Sequence, residues 1–264
     1  MKNRKLSIST TFNYNIPLAE QLSLISHAGF THVSLGANEN HSEYLNRKKR
    51  AEIKEILKTL SLEIDTLHFL QPLDDFRDKA LLNNIIEATL DLSIPVIVCH
   101  GGPFDFSENE FDCRLANLLE ICLQLEDIAK ETGIVFALEN VCPGTATRLV
   151  TDVLQQVDPQ WFGFCYDSSH DQIDGPNPVD LLELFQDRLV AVHLSDRIRE
   201  FVDHVIPGQG FIDFNTICKI LRKSAYKRPL LFEVMMTHSG IEDAQTFLNK
   251  TYEQACNIYD RIHN

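Results

Sequence analysis

Eight short runs of apolar and β-branched residues recur along this chain, and a stretch with helical periodicity follows each one. The runs are Leu6–Thr10, His32–Leu35, Glu63–His68, Val96–His100, Ile134–Glu139, Phe162–Asp167, Leu189–Leu194 and Pro229–Glu233. Strands that alternate with helices argue for βα units and a parallel sheet. After Glu110, the apolar positions Phe111, Leu115, Leu118, Cys122, Leu125 and Ala129 fall three and four residues apart, as on one face of a helix. Ile53, Ile56, Leu57 and Leu60 repeat this spacing, as do Phe247, Leu248, Tyr252, Cys256, Tyr259 and Ile262. Asp213 is placed to cap the helix carrying Phe214, Ile217 and Leu221. An open doubly wound sheet usually has a glycine-rich loop after its first strand. Here that place reads Thr11-Phe12-Asn13-Tyr14. The pattern therefore predicts an α/β fold, a single (β/α)8 TIM barrel. The length of 264 residues fits one such domain over 1–264.

Strand side chains alternate between faces, so each run divides into an outward and an inward set. In Phe162–Asp167 the large residues Phe162, Phe164 and Tyr166 suit packing under helices. Gly163, Cys165 and Asp167 suit a crowded barrel interior. The same division groups Ile64, Thr66 and His68; Val96, Val98 and His100; Val135, Ala137 and Glu139; Leu189, Ala191 and His193; and Leu231 with Glu233. Six strands thus end in an inward ionisable group at the C-terminal mouth, where barrel active sites lie. Unpaired burial of such charges is costly, and a bound cation removes the penalty. Glu139, Asp167, His193 and Glu233 offer three carboxylates and one imidazole. This donor set suits one divalent ion, Mn2+, Mg2+, Co2+ or Zn2+.

The formal net charge of −14 disfavours a nucleic-acid partner and favours a cation. The seven cysteines show no CxxC spacing and are read as free, mostly buried thiols in a reducing compartment. No apolar run has the length of a signal peptide core or a membrane span, so the expected location is cytoplasmic.

Several fragments, in order, resemble the xylose isomerase-like barrel superfamily, which includes sugar phosphate isomerases and epimerases and, more distantly, endonuclease IV. They are Leu138-Glu139-Asn140, Tyr166-Asp167-Ser168-Ser169-His170, Val192-His193-Leu194-Ser195-Asp196, Gly208-Gln209-Gly210-Phe211-Ile212-Asp213 and Phe232-Glu233. The resemblance implies that Glu139, Asp167, His193 and Glu233 hold the metal. It also implies that Glu139 and Glu233 are the paired acid and base of proton transfer through an enediolate. His68, His100, His170, Arg199 and His204 match positions near the substrate. The implied activity is isomerisation or epimerisation of a small sugar, sugar phosphate or polyol. The implied assembly, left open by the sequence, is a homodimer through exposed helices. One departure concerns the second strand: in Gly29-Phe30-Thr31-His32-Val33-Ser34-Leu35, Ser34 stands where many members carry glutamate.

Three other readings compete. A dehydratase of a cyclic hydroxy acid would use the same carbanion chemistry and expel water. A nuclease like endonuclease IV would need further metals on His68, His100, His170 and His204, but Val202 replaces an aspartate of that family. A binding or regulatory module would have no need of all four ligands. Elsewhere the basic run Asn46-Arg47-Lys48-Lys49-Arg50 reads as a solvated helix face, Asp74, Asp75 and Asp78 as helix-start charges, and Trp161 as core at the barrel bottom. Phe69, Phe104 and Phe106 either wall a sugar ring or cover the barrel top.

Overall fold

The computed structural model describes residues 4–36, 38–171, 179–200 and 202–263. Eight strands form one closed parallel barrel in chain order, with the last pairing to the first. They are β1 (Leu6–Ser9), β2 (His32–Leu35), β3 (Glu63–Phe69), β4 (Val96–His100), β5 (Val135–Glu139), β6 (Phe162–Asp167), β7 (Leu189–Leu194) and β8 (Leu230–Phe232). Each agrees with the strand read from the sequence to within a residue at either end. Closure pairs every strand on both sides and leaves no open sheet edge.

The intervening helices pack around the barrel. Asn46 caps Arg47–Leu60 by accepting from the Lys48 backbone N–H at 3.0 Å, and Asp213 caps Phe214–Lys223 by accepting from Asn215 at 2.9 Å. Gly133 ends the long helix Phe111–Thr132 at φ 77°, a conformation that glycine adopts without a Cβ penalty. Outward strand residues such as Phe136, Phe162 and Leu194 join the main core under the helices. Inside the barrel, Val96, Val98, Ala137, Cys165 and Ala191 form a separate small cluster. The volume alternation seen in the sequence is this division into two cores.

Two register shifts alter the face assignments. Between β2 and β3, Val33 pairs with Ile64 while Ser34 pairs with Thr66. Asp65 is the extra residue and turns inward to accept a hydrogen bond from Ser7 Oγ at 2.9 Å, while Ile64 joins the outer core. Between β6 and β7, Phe164 pairs with Leu189 and Cys165 with Ala191. Leu189 therefore faces outward and Val190 packs on the interior cluster. The inward groupings of Ile64 with His68 and of Leu189 with His193 are corrected accordingly. A bulge adds one residue to one strand and breaks strict period-two alternation.

One surface reading is also corrected. Arg50 is buried rather than solvated: its guanidinium meets Glu87 at 2.5 Å and Asp91 at 3.0 Å, and donates to the Tyr44 and Leu45 carbonyls. Asp74 and Asp75 lie in the first turn of the short 3-10 helix Leu73–Asp75, as read from the sequence, and Asp74 is in addition buried against Arg114 at 2.6 Å; Asp78 caps the next helix, accepting from Leu81. Trp161 is half-buried against the main core. All seven cysteines are free. Among the described residues no helix is long and apolar enough to cross a membrane.

Candidate metal centre

Parallel pairing brings the strand ends to one level. His100 is in register with Glu139, and Asp167 with His193. Glu233 follows directly on β8, whose Leu231 pairs with His193. Glu139, Asp167 and His193 are almost fully buried, and Glu233 is 7% exposed. One ligand atom from each of these four residues lies within 4.8 Å of the other three.

His193 is the hub. Its Nδ1 stands 2.9 Å from Glu139 Oε1, 2.8 Å from Glu233 Oε2 and 3.9 Å from Asp167 Oδ2. His68 lies between the same two glutamates, with Nε2 3.1 Å from Glu139 Oε2 and Nδ1 3.4 Å from Glu233 Oε1. His100 Nε2 is 3.3 Å from Glu139 Oε2 and 3.3 Å from His68 Nε2. On the far side, His170 Nδ1 is 3.7 Å from both Glu139 Oε1 and Asp167 Oδ2. His204 Nδ1 meets the hydroxyls of Ser195 at 3.0 Å and Ser169 at 3.2 Å. It does so with its backbone at φ 42°, a conformation uncommon outside glycine. Asp167, His170 and His204 also bring ligand atoms within 4.8 Å of one another, as do His68, His100 and Glu139.

Charge within this cluster follows from burial and proximity. Burial alone would raise the Glu139 and Glu233 carboxyls, but the imidazoles of His193 and His68 hold both well below the usual carboxylate range. Burial would lower His68, yet Glu139 and Glu233 outweigh it and bring it to about 9. His193 is likewise raised against burial by Cys165, Glu233 and Glu139. The carboxylates decide that balance, because the Cys165 thiol is itself pushed up to about 12 by burial and stays neutral. Burial wins at His100, which is lowered.

Unsatisfied atoms point to a cation. Asp167 Oδ1 accepts from the Ser169 and His170 backbone N–H groups and from Ser169 Oγ, while buried Asp167 Oδ2 has no hydrogen-bond partner. Glu139 Oε2 also lacks a hydrogen bond of good geometry, although His68 Nε2 is close. Native structures rarely leave buried oxygens unpaired, and carboxylate oxygens around one imidazole are the donors a hard or borderline divalent ion takes. The donor set fits such an ion.

Several supporting residues escaped the sequence reading. Asn140 locks β5 to β6 by accepting from the Asp167 N–H at 2.8 Å and donating to the Asp167 carbonyl at 2.9 Å. The Asp196 carboxylate accepts from the backbone N–H groups of Arg197, Gly208, Gly210 and Ile212, all within 3.0 Å. It thereby folds the loop after β7, which carries His204, back over the mouth. A Cβ at Gly210 would collide with the Arg197 carbonyl and the Asp196 carboxylate, so only glycine fits this approach. Both residues sit inside the quoted motifs, but nothing in their spacing distinguishes a clasp from a ligand.

Arg199 is not brought into the cluster. Its side chain is exposed on the loop after β7, and its N–H donates to Asp203 at 2.7 Å. Asp203 spends one oxygen on the N–H groups of Ile198, Arg199 and Glu200. Ser34 fills the inward position on β2 as a hydroxyl, accepting from Thr66 Oγ at 2.7 Å. Phe104 stands edge-on to His100 with ring centroids 5.2 Å apart, whereas Phe69 and Phe106 are buried in the main core.

Residues 22–251 match the profile of the family described as Xylose isomerase-like TIM barrel. The chain is 25% identical to the uncharacterized protein y4fM of Sinorhizobium fredii (strain NBRC 101917 / NGR234) over 89% of its length and 86% of that protein's. It is 30% identical to an inosose dehydratase of Clostridium botulinum (strain Alaska E43 / Type E3), over 50% of the chain and 49% of the dehydratase. Among solved structures, 3-keto-D-glucoside 4-epimerase from E. coli superposes with TM-score 0.74 at 19% identity, covering 97% of this chain and all of that one. The IOLI protein with a bound zinc atom superposes with TM-score 0.77 at 19% identity over 98% and 97% of the two chains.

Proposed function

The chain belongs to the xylose isomerase-like TIM barrel family, and from that premise we propose that it is a metal-dependent isomerase or epimerase of a small sugar or polyol. Glu139, Asp167, His193 and Glu233 hold the metal. The observation that carries this reading is the pair of buried glutamates on one imidazole, His193, beside an unpaired Asp167 oxygen. A divalent ion held there supplies positive charge beside a substrate carbonyl, which makes the adjacent C–H more acidic.

The protein's own groups do the rest. Glu139 and Glu233 are both held in the ionised form, so either can take a proton from the carbon next to the carbonyl, and the other can return one after drawing it from the protonated His68 that touches both. His68, in contact with both, stabilises whichever carboxylate is charged. His100, His170 and His204 line the remaining wall and are placed to orient hydroxyls. Burial of the cluster excludes water and strengthens each of these interactions. The test is exchange of solvent deuterium into a panel of ketoses and inososes. Glu139→Gln and Glu233→Gln should each slow exchange at least about 100-fold. Wild-type exchange in either variant would refute the two-base scheme.

The inosose dehydratase relatives favour a second reading, in which the same proton abstraction is followed by loss of a β-hydroxyl. Release of water with a new conjugated carbonyl chromophore would select it over epimerisation.

A further inference from the structure

A cavity of about 540 Å3 opens at the other end of the barrel, and its wall is built from the starts of the strands. Lys5 precedes β1, His32 begins β2, Glu63 and Asp65 lie in β3, and Lys227 and Arg228 precede β8. Glu63 at the cavity's rim lies five residues before His68 on β3, roughly 17 Å by strand rise, and Asp65 deeper in lies three residues before it, roughly 10 Å.

Its charges are unevenly matched. Lys54 is spent on Asp91 at 2.7 Å, and Asp91 also pairs with Arg50. Burial lowers His32, with Glu63 opposing and Lys5 reinforcing it. Its Nδ1 meets Thr31 Oγ at 2.8 Å and its Nε2 is 3.6 Å from Glu63. Asp65 is 6% exposed and bound by Ser7, and burial pushes its carboxyl up to about 7. Lys5, Lys227 and Arg228 have no ion-pair partner among the described residues. Three cations without an ion-pair partner, the exposed Lys5 and Lys227 and the half-buried Arg228, thus border one cavity against a single such carboxylate, Glu63, in a chain whose net charge is −14. Like charges gathered in a concave site repel one another and attract a compact polyanion.

We propose that this cavity binds a small phosphate monoester, its phosphate on Lys5, Lys227 and Arg228 and its hydroxylated part toward Asp65. The volume lies within the range of small-molecule pockets, and the three cations match a dianion better than a single carboxylate. A buried carboxyl that still carries a proton can donate to a hydroxyl. This site is separate from the metal centre and does not rest on the reaction assigned there.

Isothermal titration of the metal-loaded protein with glucose 6-phosphate, glucose and inorganic phosphate tests it. Glucose 6-phosphate should bind wild type, keep its affinity within about twofold in Glu139→Gln, and lose about tenfold or more in Lys227→Ala/Arg228→Ala, the loss expected for charge-assisted hydrogen bonds. Lys5→Ala should weaken binding in the same direction and serves if the double variant does not fold. Undiminished affinity in both cation variants, loss in Glu139→Gln, or no binding to wild type would each overturn the proposal. Glucose binding as tightly as its phosphate would do so too, and equal affinity for inorganic phosphate would overturn the monoester assignment.

Discussion

Replacing Asp65 by asparagine is expected to stabilise the metal-free protein, and by an amount that depends on pH in a defined way. The carboxyl has an ordinary value of 3.8 and sits at about 7 in the barrel because burial disfavours its charge. Below 3.8 both folded and unfolded chains hold the proton, and the residue contributes no pH-dependent penalty. As pH rises from 3.8 to 7 the unfolded chain ionises while the folded one does not, and a penalty accumulates that is constant above 7. At about 1.36 kcal/mol per unit, it is close to nothing at pH 3, about 2 kcal/mol at pH 5 and about 4 kcal/mol at pH 8, as upper limits. Asparagine keeps an acceptor for Ser7 Oγ, and the adjoining cavity can hydrate its amide. For a chain of this size the gain at pH 8 is a rise in Tm of about 10 °C. Urea denaturation in EDTA at pH 5 and pH 8 measures the difference directly. An equal offset at both pH values would show that packing, not ionisation, is responsible. A less stable variant at pH 8 would show a satisfied, ionised carboxylate and refute the reasoning.

Mn2+, Co2+ or Zn2+ at 100 times its Kd should stabilise the fold by about 3 kcal/mol, seen as a rise in Tm that EDTA reverses; the same rise in Asp167→Asn would remove Asp167 from the ligand set. At one fixed metal concentration the rise should be larger at pH 9 than at pH 6. His68 and His193 have raised values, so their protonated pairs stabilise the metal-free fold fully below the ordinary 6.5. That support is lost as pH rises through about 9 for His68, while His193 must shed its proton for metal to bind. Titration calorimetry in buffers of differing ionisation enthalpy should register proton release, and a metal effect independent of pH would contradict this picture. Arg50→Met should cost about 2–3 kcal/mol in chemical denaturation, because it strands the Tyr44 and Leu45 carbonyls and breaks the pairs to Glu87 and Asp91. A loss under about 0.5 kcal/mol would mark Arg50 as an ordinary surface residue.

The barrel and the ring of ionisable strand ends were legible in the sequence because both depend on local periodicity. Strand after helix, with bulky residues outward and small ones inward, is written into every βα unit, and the last inward residue of six strands is His, Glu or Asp. The positions of Glu139, Asp167, His193 and Glu233 follow from counting in twos along β5 to β8. Counting failed at Asp65 and Val190, where the closing of eight tilted strands inserts an extra residue and reverses the local alternation. It also failed wherever a partner lies far away in the chain. Nothing near Arg50 announces Glu87 and Asp91, nothing near Asp74 announces Arg114, and the Asp196 clasp needs four N–H groups from a loop still to come.

By itself the order of residues determined the fold class and which side chains face the mouth, since backbone geometry turns spacing into direction within each strand. The tertiary structure alone decided which of those side chains touch. That depends on the stagger between strands, and it sets His193 between two glutamates, turns Asp203 into its own loop, leaves Arg199 outside, and gathers three unpaired cations at the opposite end.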